Sequence, residues 1–274
     1  MEQKQLNKLK ELLSIPTYTW EEDLLIEYVI NEISSFGDNI SFYQDNLGSL
    51  YITKGESETY PCLVAHLDSV HRRVEMVVNE EMKKNSQGED KLALKAYEKH
   101  SGNPTGIGGD DKSGVFICLS LLQQLDTCKV FLPVAEETGC NGSREADPKF
   151  FENVGYAIQF DSTENDTMSK SLMGVPLYEE KSDFFKSVEN LILEHGVTKW
   201  LHHPYTDTMM LKKKFNFPCL NFAAGYYQYH TSNEYVIVDD VRNAILLGKK
   251  VVDQLGNVQY NFRYTPKPYD SYLL

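Results

Sequence analysis

Two adjacent carboxylates, Glu136 and Glu137, follow the apolar run Val130-Phe131-Leu132-Pro133-Val134. Such a run reads as a buried strand, so the pair stands where the chain leaves it. Like charges at the end of a core strand repel and push their proton affinities apart unless something positive holds them. A metal on one carboxylate leaves the other free as a base. Taken alone, the pair reads first as a solvated acidic turn.

Four further stations shift that balance. His66 and Asp68 follow the short apolar strand Cys62-Leu63-Val64-Ala65. Asp110 stands in the glycine-rich stretch 105–114 that leads into an apolar helix, Asp161 directly follows the apolar strand 154–160, and His230 lies in a loop after the strand 218–222. Sites in open α/β sheets form outside the carboxyl ends of the strands, and four of the five stations have that placement. Nitrogen and carboxylate donors without thiolate suit zinc, and also cobalt or manganese. Five such side chains exceed what one tetrahedral catalytic zinc needs; they suit two metals that share a carboxylate. Each residue alone has a plainer reading: His66 and His230 as hydrogen-bonded structural histidines, Asp110 as a helix N-cap, Asp161 as a strand-end turn residue. Gly106, Gly108 and Gly109 hint at a phosphate loop, but Lys112 lies too close to them and the acids Asp110 and Asp111 would repel phosphate.

The elements that must position these groups are legible from periodicity. Leu6, Leu9, Leu12 and Leu13 mark a helix over 3–14, which Ile15-Pro16 ends. Thr19 with Glu22 reads as the capping box of a second helix that stops near Gly37. Strands are expected at 40–43, 50–52, 62–65, 129–134, 154–160 and 218–222, and helices at 115–125, 179–195 and 238–255. Residues 72–104 read as a peripheral hairpin and loop insertion, and 162–178 as a polar, mobile stretch. Strand and helix alternate over most of the length. This predicts an α/β three-layer sandwich, with a mixed, largely parallel central sheet covered by helices on both faces. The 274 residues are read as one catalytic domain, with the Tyr- and Pro-rich tail 260–274 packed along its surface.

A formal charge of −13 sets the surface against nucleic acid and anionic membranes. Five scattered cysteines with no CxxC pair fit reduced thiols, not a disulfide framework or a structural zinc knuckle. Neither an apolar signal core nor a membrane-length apolar run is present, so a cytoplasmic protein is expected.

These motifs, in this order, resemble the co-catalytic zinc peptidases, which group aminoacylase and peptidase T relatives with aminopeptidases of the Vibrio/Streptomyces type. Val64-Ala65-His66-Leu67-Asp68-Ser69-Val70 is similar to their HxD motif, and Gly109-Asp110-Asp111-Lys112-Ser113-Gly114 to their GxDDKxG segment. Glu136-Glu137 resembles their EE pair, Asp161 their next ligand, and Tyr229-His230-Thr231-Ser232-Asn233-Glu234 their terminal HTxxE. Leu13-Ser14-Ile15-Pro16-Thr17 is similar to the opening of the peptidase T branch, and the resemblance spans about residues 10–255. It implies one zinc on His66, Asp110 and Asp161, and another on Asp110, Glu137 and His230. Asp68 would orient His66, and Glu136 would be the proton-transferring base.

The departure is a missing lid or dimerisation domain, since only residues 162–229 separate Asp161 from His230. Asp207, His202 and His203 become the candidates to replace substrate contacts that relatives bring from a lid. Of these, Thr206-Asp207 stands where relatives carry a TD or SD pair. The expected function is an aminopeptidase on short peptides. An N-acyl amino acid amidohydrolase or a carboxypeptidase would need a cation for the substrate carboxylate, for which Arg144 and Lys112 are the candidates. A non-catalytic binding protein that kept the fold is the reading from another class. Oligomeric state is left open.

Overall fold

The structure, a computed structural model, describes residues 1–84, 88–203 and 205–262. The elements run α1 (Gln3–Ser14), α2 (Asp23–Ser34), β1 (Ile40–Gln44), β2 (Leu50–Lys54), β3 (Tyr60–Val64), β4 (Met76–Lys84), β5 (Asp90–Glu98), β6 (Pro104–Thr105), α3 (Gly109–Gln124) and β7 (Cys128–Leu132). They continue with α4 (Asn141–Arg144), α5 (Pro148–Phe151), β8 (Val154–Ser162), β9 (Thr167–Leu172), β10 (Val175–Pro176), α6 (Asp183–Glu194), β11 (Lys199–His203), α7 (Asp207–Phe215), β12 (Cys219–Ala223), β13 (Tyr226–Tyr227), β14 (Tyr235–Ile237) and α8 (Val238–Leu255).

Among the described residues the main sheet has nine strands, in the order β1-β2-β7-β3-β8-β12-β9-β10, with β11 also paired to β9. Its centre, β7-β3-β8-β12, is parallel, and antiparallel pairs flank it on both sides. All four central strands are buried along their whole length, as a sheet covered on both faces requires. Alternation along β8 shows the two layers. Phe160 faces α8, where a Cβ on Gly248 would meet its ring at 2.7 Å. Its neighbour Gln159 faces the opposite layer and accepts from the backbone N–H of Thr208 in α7 at 2.9 Å. The expected α/β architecture with a mixed, mostly parallel sheet is what the chain adopts. Helix α3 is buried on nearly every side, which explains why its sequence is apolar without a clear polar face.

Three local expectations need correction. Residues 72–104 do contain a hairpin, β4–β5, but it is not an isolated appendage. β5 pairs with β14, and with β6 and β13 they form a five-stranded sheet in contact with α1, α3 and α8. The stretch 162–178 holds the largely buried strand β9, whose alternating polar residues had masked it. The capping box does not form, because α2 begins at Asp23 and both Thr19 and Glu22 bond to other parts of the chain. Most of the expected surface tail, 263–274, lies outside the described residues.

Candidate metal centre

Parallel neighbours in a sheet end side by side, and the site exploits this. β3 lies between β7 and β8, so His66 beyond β3, the acidic pair beyond β7 and Asp161 near the end of β8 arrive together. Asp110 comes from the first turn of α3, where it and Asp111 are still non-helical. The helix can then press on β8 because residue 114 is glycine; a Cβ there would stand 2.5 Å from the Phe160 carbonyl oxygen. His230 enters from the loop between β13 and β14 in a left-handed backbone conformation, φ 61°.

Asp110 is the joint. Its Oδ1 lies 3.0 Å from His66 Nε2 and its Oδ2 3.2 Å from His230 Nε2. Asp161 Oδ1 lies 3.8 Å from His66 Nε2, and Glu137 Oε1 lies 3.0 Å from His230 Nε2. Two groups, His66/Asp110/Asp161 and Asp110/Glu137/His230, each offer donor atoms that all lie within 4.8 Å of one another. A third combination, His66/Glu136/Glu137, meets the same spacing. The five residues anticipated as ligands thus converge, and Glu136 stands beside them with Oε2 4.0 Å from His66 Nε2.

A second layer of bonds holds these groups. Asp68 accepts from the backbone N–H of Glu136 at 2.9 Å and of Glu137 at 3.2 Å, and its Oδ1 lies 3.4 Å from His66 Nδ1. Thr19 donates to Asp68 Oδ2 at 2.7 Å, and Glu22 accepts from the N–H of Ala135 at 3.2 Å. Glu234 is fully buried and accepts from Gly108 N–H (2.9 Å) and Asp110 N–H (3.0 Å), with His71 Nε2 at 2.7 Å. His71 is therefore a mostly buried brace. Asp111 accepts from the N–H of His66 at 3.2 Å. Sequence reasoning missed the roles of Thr19, Glu22, His71 and Asp111; Glu234 was visible only as the last letter of HTxxE.

Burial makes the centre electrostatically tense. It pushes Glu136 well above the ordinary carboxyl value, with His66 opposing and Asp161 adding to the rise. Burial and then Asp110 push Asp161 up to about 7. Burial also raises Glu137, partly offset by its bond to His230. For Asp110 burial works upward, but bonds from His230 and His66 outweigh it and hold the carboxyl well below its usual range. Burial would lower His66, yet Asp110, Asp161 and Asp68 carry it well above the ordinary imidazole value. Asp110 and Glu137 raise His230 to about 10. The acids therefore demand positive charge, and the imidazoles supply it by holding protons at the positions of their donor nitrogens.

A cavity of about 190 Å³ opens on the centre. Asp110, Glu136, Glu137, Asp161 and His230 line it, together with Ser162, Thr163, His203, Tyr205, Thr206, Tyr226 and Tyr229. Of the three candidate substrate contacts only His203 is at the wall. Asp207 is fully buried at the start of α7, accepting from Ser143 and, at 3.3 Å, from Gln159. His202 faces away from the cavity with its Nδ1 2.6 Å from Ser171 Oγ, because successive strand residues point to opposite sides. Lys112 is buried and donates to the carbonyls of Leu13 and Ile15 at 2.8 and 2.9 Å, and Arg144 donates to Gly139 O at 2.8 Å. Among the described lining residues there is neither Lys nor Arg. The tyrosines at the wall had no signal in the sequence beyond the abundance of that residue.

The chain shares its fold with aminopeptidases of the PepT and TET types. The chain is similar to aminopeptidase PepT from Bacillus cereus ATCC 10987, with 13% identity and a TM-score of 0.73 over 92% of this chain and 98% of that one. A tripeptidase from Staphylococcus aureus Mu50 superposes with a TM-score of 0.68 at 14% identity, over 93% and 99% of the two chains. The Pyrococcus horikoshii TET1 peptidase, which can assemble into a tetrahedron or a large octahedral shell, gives 0.62 at 15% identity, over 89% and 98%. No protein-family model matches the sequence, and no curated protein matches it.

Proposed function

We propose that the chain is a metal-dependent aminopeptidase that removes residues from the amino ends of short peptides. The observation that carries this reading is the pair of donor triads that share Asp110. Buried carboxylates pressed around two imidazoles are costly without cations, and their nitrogen and oxygen donors suit zinc, cobalt or manganese. We assign one ion to His66, Asp110 and Asp161 and the other to Asp110, Glu137 and His230. When bound, the ions would polarise the scissile carbonyl and make water a nucleophile near neutral pH.

Glu136 is the base. It belongs to neither assigned triad, lines the cavity, and has a strongly raised proton affinity. It takes the proton of the attacking water and returns it to the leaving amine, so each turnover leaves its charge unchanged. Asp68 keeps the His66 ring and the acidic turn in register. Wall carboxylates suit the free α-amine of a peptide. The lack of Lys and Arg among the described wall residues disfavours a carboxypeptidase or an N-acyl amidohydrolase, which must hold a substrate carboxylate.

We read the chain as a single catalytic domain without a lid, supported by one apolar core running from Leu6 in α1 to Leu255 in α8. The five cysteines are free and buried, and among the described residues no helix is long and apolar enough to cross a membrane. The free thiols fit a cytoplasmic location. The test is metal analysis together with a substrate panel. The protein should bind two divalent ions and release the amino-terminal residue from free tripeptides but not from N-acetylated ones. Preference for the blocked peptides would move the assignment to an amidohydrolase, and absence of tightly bound metal would refute it.

A further inference from the structure

A second groove, of about 620 Å³, lies between α2 and the turn that joins β1 to β2, and none of its lining residues belongs to the wall of the metal cavity. Its volume is in the range of ligand sites. One side is the stripe Asp23, Ile26, Glu27 and Ile30, which helical spacing puts on a single face of α2. That helix buries a different face, through Leu25, Val29 and Ile33. Leu47 and Gly48 of the turn form the other side, and Trp20 stands just before the amino end of α2. Gly48, at φ 112°, keeps the bottom open: a Cβ there would fill the space between Ile26 Cδ1, at 3.6 Å, and Val134 Cγ1, at 3.4 Å.

The apolar lining of this groove has no partner. Trp20 is 55% exposed and Leu47 39%, and Ile26 and Ile30 are half-buried. Scattered exposed apolar residues are ordinary, but several along one groove make a patch. Trp20 also holds a left-handed backbone at φ 69°, which is costly for a bulky residue, and its N–H donates to Glu22 at 3.0 Å.

The charges of the groove are all of one sign. Glu22, Asp23, Glu27 and Asp45 line it, with neither Lys nor Arg among the described lining residues. Arg73 answers Asp23 from outside, at 2.7 and 2.9 Å. Asp45 is fixed in place by the N–H groups of Leu47, Gly48 and Ser49, each at 2.9 Å, and by the Tyr51 hydroxyl at 3.0 Å. Glu27 is exposed, and its carboxylate has no partner among the described residues. The apolar surface therefore lies between a carboxylate on the helix side and another on the turn side. Such a groove repels anions, and it repels a second copy of this chain, whose formal charge is −13.

We infer that the groove docks a segment of a partner protein in which Lys or Arg alternates with leucine-like side chains. The apolar side chains cover Trp20, Leu47 and the Ile26–Ile30 stripe, and the cations meet Glu27 and Asp45. This site does not depend on the peptidase reading, since it shares no residue with the metal cavity.

In metal-loaded Trp200→Phe protein, Trp20 is the single tryptophan. Titration with the blocked peptide Ac-Lys-Leu-Lys-Leu-Lys-amide should give a saturable blue shift of its emission, and the acidic counterpart Ac-Glu-Leu-Glu-Leu-Glu-amide should give none. Anisotropy of the dye-labelled basic peptide then compares affinities for the wild type and its variants. Glu27→Lys, at an exposed position, should weaken binding about 10-fold. Trp20→Ala, which keeps the main-chain bond to Glu22, should weaken it at least about 10-fold. Absence of a saturable shift, equal binding of the acidic peptide, or unchanged affinity in Glu27→Lys would overturn the proposal. So would displacement of the peptide by excess Leu-Gly-Gly, which would put it in the metal cavity. A Trp20 shift that follows protein concentration without peptide would seat a second copy in the groove and overturn it as well. An inactive enzyme that still binds the basic peptide would remove the peptidase reading and leave the docking site standing.

Discussion

The backbone N–H of Glu136 donates to Oδ1 of Asp68 at 2.9 Å. That oxygen also lies 3.4 Å from Nδ1 of His66, whose hydrogen bond at 3.1 Å goes to the Asp68 main-chain carbonyl, so one buried residue serves both the imidazole of one metal group and the turn that presents the acidic pair. Asp68 itself is held below its usual range: burial pushes it upward, and the bond and charge of His66, with the bonds from Thr19 and the Glu136 N–H, together outweigh burial. Replacing Asp68 with Ala should therefore loosen both metal groups together. We expect metal affinity to fall about 10–100-fold, read by titration against a competing chelator. An unchanged affinity would show that the turn and the ring are held by other means.

Glu136→Gln separates chemistry from assembly. The side chain keeps its shape but loses its ability to hold and return a proton, so kcat should fall at least about 10²-fold. Metal content should stay at the wild-type level, since Glu136 is outside both assigned triads. Stability of the metal-stripped protein should not fall, because a buried carboxyl of raised proton affinity is replaced by a neutral amide. Peptidase activity at the wild-type rate would remove Glu136 from the mechanism.

Thr19 is 49 residues from Asp68 in the chain, yet its hydroxyl supplies one of the carboxylate's bonds. Thr19→Val preserves volume and deletes that bond. Unfolding in urea should show a loss of about 1.5–3 kcal/mol, the range for a hydrogen bond to a charged group. Peptidase activity should fall less than in Asp68→Ala.

Glu234→Gln tests the brace under the entrance to α3. The carboxylate accepts from two backbone N–H groups and pairs with His71, and an amide cannot accept at both of its ends. We expect a loss of about 1–3 kcal/mol in denaturant unfolding. Affinity for the ion assigned to His66, Asp110 and Asp161 should fall, because the Asp110 backbone would be released.

Stripping the metal should leave a protein whose stability falls as pH rises. Burial and Asp110 raise Asp161 from 3.8 to about 7, so the folded chain binds the extra proton between those values and loses that stabilisation on the way up. Asp110 and Glu137 raise His230 from 6.5 to about 10; its contribution is complete below 6.5 and disappears through about 10. Asp110, shifted downward, acts in the opposite sense only below about 3.8. Denaturant midpoints of chelator-treated protein should therefore decline from pH 5 to 7; above that the buried Lys112 and Lys212, lowered by burial to about 7 and about 8, oppose the fall. Metal-loaded protein should gain stability over the same range, because ions and protons compete for the same atoms.

The residues that carry the candidate chemistry could be named before any fold was known, because each follows a recognisable apolar strand or opens a helix. His66, Asp110, Glu136, Glu137, Asp161 and His230 owe their visibility to that placement, and the α/β class follows from the same alternation. What holds them was not visible. Thr19 and Glu22 spell a capping box, yet Thr19 bonds to Asp68, 49 residues away, and Glu22 ties the N–H of Trp20 to that of Ala135, which tertiary packing brings near from 113 residues away. Likewise His202 and His203 are indistinguishable in a string of letters. Only the pleat of β11 and its pairing with β9 send one ring to Ser171 and the other to Ser169 at the cavity wall. Local propensity determines where a strand ends; which side chains then meet depends on contacts between segments that no local pattern encodes.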